Sequence, residues 1–174
     1  MKRKTKFMLI DLFSGCGGLS RGFVDSGGYE VLIGLDNWKD ALDTFQYNHP
    51  DSIVELADLS KYNPIDLLKY DIEPGRVDII VGGPPCQGFS IAGNKFGFEC
   101  DERNFLYLEL VRFLKEFKPA QFIMENVPPI LEYKSRIIRG FNEAGYKVSV
   151  EKINGLEIGS KQKRIRVFFI GELK

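Results

Sequence analysis

The chain reads as an α/β protein, a mostly parallel sheet with helices on both faces. Three observations predict this. Phe7 to Leu12 is an apolar run of strand length that enters a glycine turn and then a helix. The strand-then-helix order recurs along the chain, with acidic residues at strand ends. The run V-D-I-I-V (77–81) reads as a buried strand and stops at Gly82-Gly83-Pro84-Pro85-Cys86. In open sheets of this kind ligands bind at the carboxyl ends of the strands. Every candidate residue below falls at such an end or in the loop after it, which predicts one composite site.

The 174 residues are 44% apolar and 28% charged, so the chain is long and apolar enough for one domain with a real core. The expected division is a ligand-binding half over about 1–75 and a catalytic half over about 76–174. The formal net charge is zero, so any nucleic-acid contact comes from local clusters or another chain. Three widely spaced cysteines and one histidine offer no zinc set, and no metal is expected. No apolar run reaches membrane-spanning length and no signal-peptide core follows Met1. The expectation is a cytoplasmic protein of a prokaryotic or phage-infected cell.

After the first strand comes F-S-G-C-G-G, with Phe13, Ser14, Gly15, Gly17 and Gly18 opening a helix through about Gly27. Glycines here let backbone approach a ligand; nucleotide and S-adenosylmethionine binders share the feature. Tyr29 to Leu35 is the second strand. Asp36 at its tip, about 20 residues past the glycines, has the position of a ribose acceptor. Asn37 or Trp38 offers a surface for an adenine, and Trp38 equally suits the core. A helix over Lys39 to Asn48 stops at His49-Pro50; His49 is expected at the surface, without a catalytic role. The third strand, Ile53 to Ala57, ends at Asp58-Leu59, where an acid could hold an adenine amino group. Asn63-Pro64 opens a brief helix to Tyr70, and Glu73-Pro74-Gly75 turns into the central strand.

Pro84 and Pro85 fix φ twice before Cys86. Gln87, Gly88, Ser90, Gly93 and Gly97 then give a small, polar, glycine-punctuated stretch. Cys86 reads as a nucleophile at the sheet's edge or as a buried structural thiol. Phe105 to Phe117 has helical spacing, with Asn104 as N-cap. Gln121 to Met124 is a strand ending at Glu125-Asn126-Val127, and Glu125 reads as a functional carboxylate or a helix cap. Ile130 to Ala144 reads as a helix closed by Gly145. Tyr146 to Ile153 and Ile165 to Gly171 are the last strands. Ahead of the second, alternation places Gln162, Arg164 and Arg166 on one side of an extended chain.

Four of these stretches together resemble the cytosine-5 DNA methyltransferases: D-L-F-S-G-C-G-G, G-G-P-P-C-Q-G-F-S, E-N-V and Q-K-R-I-R-V, in that order. The resemblance covers nearly the whole chain. It implies the Rossmann-like, seven-stranded methyltransferase sheet with a C-terminal antiparallel hairpin. It implies S-adenosylmethionine as cofactor, bound by Phe13, Ser14, Gly15, Gly17, Gly18, Asp36, Asn37, Trp38, Asp58, Leu59, Gly83 and Pro84. It assigns catalysis to Cys86, Glu125, Arg164 and Arg166, and substrate contact to Pro85, Gln87, Ser90, Asn126 and Gln162. Cys86 would add to carbon 6 of a flipped-out cytosine, Glu125 would act at ring nitrogen 3 and Arg166 at the carbonyl oxygen. Arg164 would contact phosphate or brace the cysteine loop.

Family members continue beyond the final hairpin with a target-recognition region and two further motifs, absent from these residues. The resemblance therefore implies DNA as partner in a restriction-modification setting, the chain being either the catalytic subunit of a split enzyme, with a second polypeptide as partner, or a truncated form. A tRNA cytosine methyltransferase and a non-catalytic binding relative are the alternative readings. A nucleotide-dependent dehydrogenase would leave P-P-C-Q and E-N-V without a role.

Overall fold

In the computed structural model, residues 6–85 and 105–174 are described. They form one seven-stranded sheet of order β3-β2-β1-β4-β5-β7-β6. The strands are β1 (Phe7–Leu12), β2 (Tyr29–Asp36), β3 (Ile53–Leu56), β4 (Ile79–Gly82), β5 (Gln121–Asn126), β6 (Tyr146–Asn154) and β7 (Ile165–Leu173). β1 to β5 pair in parallel, and β7 inserts antiparallel between β5 and β6. The succession of strands switches sides at β1, whose neighbours are β2 and β4. That is the switch point at which a crevice opens.

Side chains alternate across the pleat, so each central strand feeds two cores. Leu9, Val31, Ile79 and Val81 pack with Phe45 of α2 (Lys39–Asn48) and with Leu19 and Phe23 of α1 (Gly18–Asp25). Ile10, Leu12, Ile33, Leu35 and Ile80 face the opposite way. They meet α3 (Tyr107–Phe117) and α4 (Lys134–Glu143), with Phe113, Phe117, Ile137 and Phe141 buried. Helices thus cover both faces. Over β5 and β7 the first of these faces is thinner: Ile123 and Ile170, paired across the two strands, and Phe168 are only partly buried.

Three expectations need correction. The helix expected over 130–144 begins earlier and differently. Pro128–Tyr133 is 3₁₀, with proline in its first turn, and α4 starts only at Lys134. The brief helix expected over Pro64–Tyr70 is present, capped by Asn63, in 3₁₀ form. α1 ends at Asp25, two residues short of Gly27. His49 is not at the surface: it is 4% exposed, its ring packed against Phe45 at 4.6 Å between centroids. The proline signal correctly ends α2, but the residue before it turns inward. The proposed cap Asn104 lies outside the described residues, and α3 begins at Tyr107.

Candidate active site

The carboxyl ends of β1, β2, β4, β5 and the start of β7 enclose two adjoining cavities of about 650 and 550 Å³, sharing Phe13 and Gly83. The first is lined by Asp36, Asn37, Trp38, Ala57, Asp58, Leu59 and Ser60, with Pro85 and Glu109 across from them. The second holds Asp11, Ser14, Gly15, Gly18, Glu125, Arg164 and Arg166.

Loop geometry explains how β1 delivers these groups. Phe13 adopts φ +53, a conformation uncommon for a residue with a side chain, at the point where the strand turns. The Ser14 N–H donates to Leu35 O at 3.1 Å, tying the turn to β2. Asp36 accepts from the Gly15 N–H at 2.8 Å through Oδ2 and from the Trp38 N–H at 2.9 Å through Oδ1. These bonds orient the carboxylate and leave further lone pairs for hydroxyl groups. Trp38 is 64% exposed, which removes the core reading and leaves its ring as a wall of the first cavity. Asp58 accepts from the Ser60 hydroxyl at 2.6 Å and pairs with Lys61 at 3.0 Å. Those contacts, the hydroxyl first, hold its carboxyl below the usual range.

Glu125 stands where β5 ends. Arg166 Nε meets its Oε1 at 2.6 Å, and Arg164 Nη2 lies 3.9 Å from the same oxygen. Arg166 also donates to Ile165 O through Nη1 at 2.8 Å, so Nη2 takes no part in either bond. A Cβ added at Gly83 would lie 3.6 Å from Glu125 Oε2, so the β4 corner and the carboxylate face each other.

Some sequence assignments change character. Asn126 is buried, with its amide donating to Pro84 O at 3.1 Å and its carbonyl accepting from the Val127 N–H at 2.8 Å. With both ends engaged, it braces the proline corner. Gln162 is exposed and lines neither cavity, because β7 starts only at Ile165 and the alternation does not extend back to 162. Gly17 and Pro84 also line neither cavity and shape the loops behind them. Cys86, Gln87 and Ser90 lie outside the described residues.

Asp11 was missed by the sequence reading, because a single acid inside an apolar strand carries no pattern. It is 1% exposed, and burial pushes its carboxyl up to about 7, with Ser20 lowering it and Asp36 raising it. Its Oδ2 and the Ser14 Oγ are buried atoms without a partner, and both residues line the second cavity. Buried polar atoms of this kind call for a ligand group. S-adenosylmethionine fits: a flat adenine for Trp38, a ribose diol for Asp36, and cationic sulfonium and ammonium groups beside Asp11. Among the described residues no cluster of His, Cys, Asp or Glu could hold a metal ion, and no helix is long and apolar enough to cross a membrane.

This sheet with this crevice defines the class: a Rossmann-like S-adenosylmethionine-dependent methyltransferase fold. The model of the family described as C-5 cytosine-specific DNA methylase matches residues 7–174, and the chain belongs to that family. It is 42% identical over 171 residues to the Type II methyltransferase M.DdeI of Desulfomicrobium norvegicum, covering 94% of this chain and 40% of that protein. To M1.HphI of Haemophilus parahaemolyticus it is 41% identical, covering 93% and 45%. To M.AquIA of Picosynechococcus it is 32% identical, covering 94% of this chain and 71% of that one. The chain thus spans less than half the length of the first two relatives.

Among solved structures, an E. coli prophage-encoded protein assigned as a DNA modification methyltransferase superposes with a TM-score of 0.80 at 34% identity. The match covers 97% of this chain and 47% of that one. Spodoptera frugiperda DNMT2 shares the fold at TM-score 0.75 and 22% identity, covering 97% and 50%.

Proposed function

We propose that the chain is the catalytic part of a DNA cytosine-5 methyltransferase. The observation that carries this reading is the Glu125–Arg166 pair facing the Gly83 corner that leads to Cys86, beside a crevice suited to the cofactor. When bound, S-adenosylmethionine supplies an electrophilic methyl group. Phe13, Trp38, Asp36 and Asp58 would hold its adenosine, and Asp11, Ser14 and Gly15 its amino-acid end. Cytosine carbon 5 is a poor nucleophile, so the protein must make it electron-rich. Cys86 thiolate adds to carbon 6, and the ring's electron pair moves toward carbon 5. Glu125 holds a proton at ring nitrogen 3, balancing the charge that builds there. Arg166 orients Glu125 through Nε and offers Nη2 to the base's carbonyl oxygen, while Arg164 reaches outward to phosphate.

The net charge of zero gives no broad grip on DNA. We infer that target reading comes from chain beyond these residues, on a second polypeptide. The extra length of the relatives supports target reading outside these residues, and among the described residues the part-covered face at Ile123 and Ile170 offers a partner a surface.

The test is covalent trapping on 5-fluorocytosine DNA with S-adenosylmethionine, first with the chain alone and then with extract of its source cell. A trapped adduct that disappears in Cys86→Ser establishes the reaction. An adduct formed only with extract establishes the partner as well. Cofactor binding without trapping in either arm, alongside methylation of tRNA cytosine, would overturn the DNA assignment.

A further inference from the structure

Beneath the glycine loop lies a polar cluster that no step above uses. His49 borders neither cavity, yet its Nε2 sits 3.2 Å from Gly17 O and 3.2 Å from Ser20 Oγ. The preceding residue reaches the same loop: Asn48 Nδ2 donates to Cys16 O at 2.8 Å. Arg21 of α1 closes the arrangement by donating to Asn48 O at 3.1 Å. The end of α2 therefore grips two consecutive carbonyls of the loop whose other side faces the cofactor crevice. The fit is close: a Cβ on Gly17, which sits at φ +80, would come within 2.7 Å of the His49 ring.

A carbonyl oxygen only accepts, so the contact with Gly17 O is a hydrogen bond when Nε2 carries the proton. That N–H can be shared with Ser20 Oγ, whose own hydroxyl donates to the same Gly17 O at 3.2 Å. Ser20 also adjoins Asp11, lowering its carboxyl against the larger effect of burial. His49 and Ser20 thus hold the Gly17 carbonyl together, with Ser20 adjoining Asp11, whose Oδ2 has no partner and which lines the second cavity.

We infer that His49, as its Nε2–H tautomer, is a positioning residue for the cofactor, clamping the Gly17 carbonyl together with the Ser20 hydroxyl. The inference rests on the reading of this crevice as the cofactor site. A residue that merely fills space beside Phe45 would be replaced best by another aromatic ring. A residue acting through a donor at Nε2 is replaced best by glutamine, whose amide nitrogen lies at similar reach.

The experiment compares S-adenosylhomocysteine binding by calorimetry in the wild-type chain, His49→Gln, His49→Phe and Ser20→Ala, with urea unfolding of each. Because the chain has a single histidine, its ring resonances also report the tautomer in the wild-type protein without assignment. Expected are an Nε2–H ring whose signals shift on adding S-adenosylhomocysteine, binding within about threefold of wild type for His49→Gln, and about tenfold weaker binding for His49→Phe and Ser20→Ala. A Phe variant that binds as well as wild type or better than the Gln variant overturns the inference. So does an Nδ1–H ring, or one indifferent to ligand, and the ring measurement stands even if a variant fails to fold. Wild-type protein that binds no S-adenosylhomocysteine at all refutes the cofactor reading itself. Wild-type binding with indifferent variants refutes only the role of His49.

Discussion

Replacing Asp11 by asparagine should change how the cofactor-free protein's stability responds to pH. The Asp11 carboxyl is fully buried and ionises near 7 in the fold, against 3.8 for the ordinary group. Burial is the largest cause. Between those two values the native state keeps a proton that the unfolded chain has released, so stability falls as pH rises and levels off above 7. At about 1.4 kcal/mol per pH decade, the full penalty approaches about 4 kcal/mol. The part lost between pH 5 and pH 8 is about 2–3 kcal/mol. Asp11→Asn has nearly the same shape and no ionisation, so it lacks this term while keeping every other titration. Urea unfolding of both proteins at pH 5 and pH 8 isolates it as a double difference, a midpoint change of about 1 M. Far-UV circular dichroism is the suitable probe, since the single tryptophan, Trp38, is already exposed in the fold. Equal pH responses in the two proteins, within about 0.5 kcal/mol, would refute the assignment of a buried carboxyl that resists ionisation.

The other predictions concern separate parts of the site. Trp38→Ala should weaken S-adenosylhomocysteine binding by about three- to tenfold, measured by calorimetry, with the unfolding midpoint nearly unchanged because the side chain is mostly exposed. Asn126→Ala should destabilise the protein by about 2 kcal/mol in urea, because Pro84 O and the Val127 N–H lose their partner in a buried corner. Arg166→Ala should lower methyl transfer by about a hundredfold or more while cofactor affinity stays within a few-fold, and Arg166→Lys should recover little, since a point charge does not reproduce the guanidinium geometry. Gly17→Ala should cost about 1–3 kcal/mol in thermal or urea unfolding, from positive φ and the collision with His49.

Strand positions were legible because apolar runs of strand length stand between glycines and prolines, and the pattern at β1, β2 and β4 needs no partner to be read. The helix of 107–117 was legible from its spacing. The 128–133 segment was not, because two prolines followed by apolar residues suit a 3₁₀ turn and an α-helical start alike, and packing against the sheet selects between them. Asp36 and Glu125 were found through their place at strand ends. Asp11 was invisible because nothing distinguishes an acid that will be buried until its neighbours close over it.

By itself the sequence determined the order of elements, the loops that face the crevice, and the family, since these depend on residue types at short spacing. Only the tertiary structure decided which distant groups meet. It set Arg166 on Glu125 across 41 positions, withdrew Gln162 from that company, and turned Asn126 back onto the proline corner. It also carried His49 inward to the glycine loop, 32 residues away in the chain. The physical reason is common to all four. A side chain's partner is fixed by strand register and helix packing, and these are properties of the assembled sheet, which no local stretch encodes.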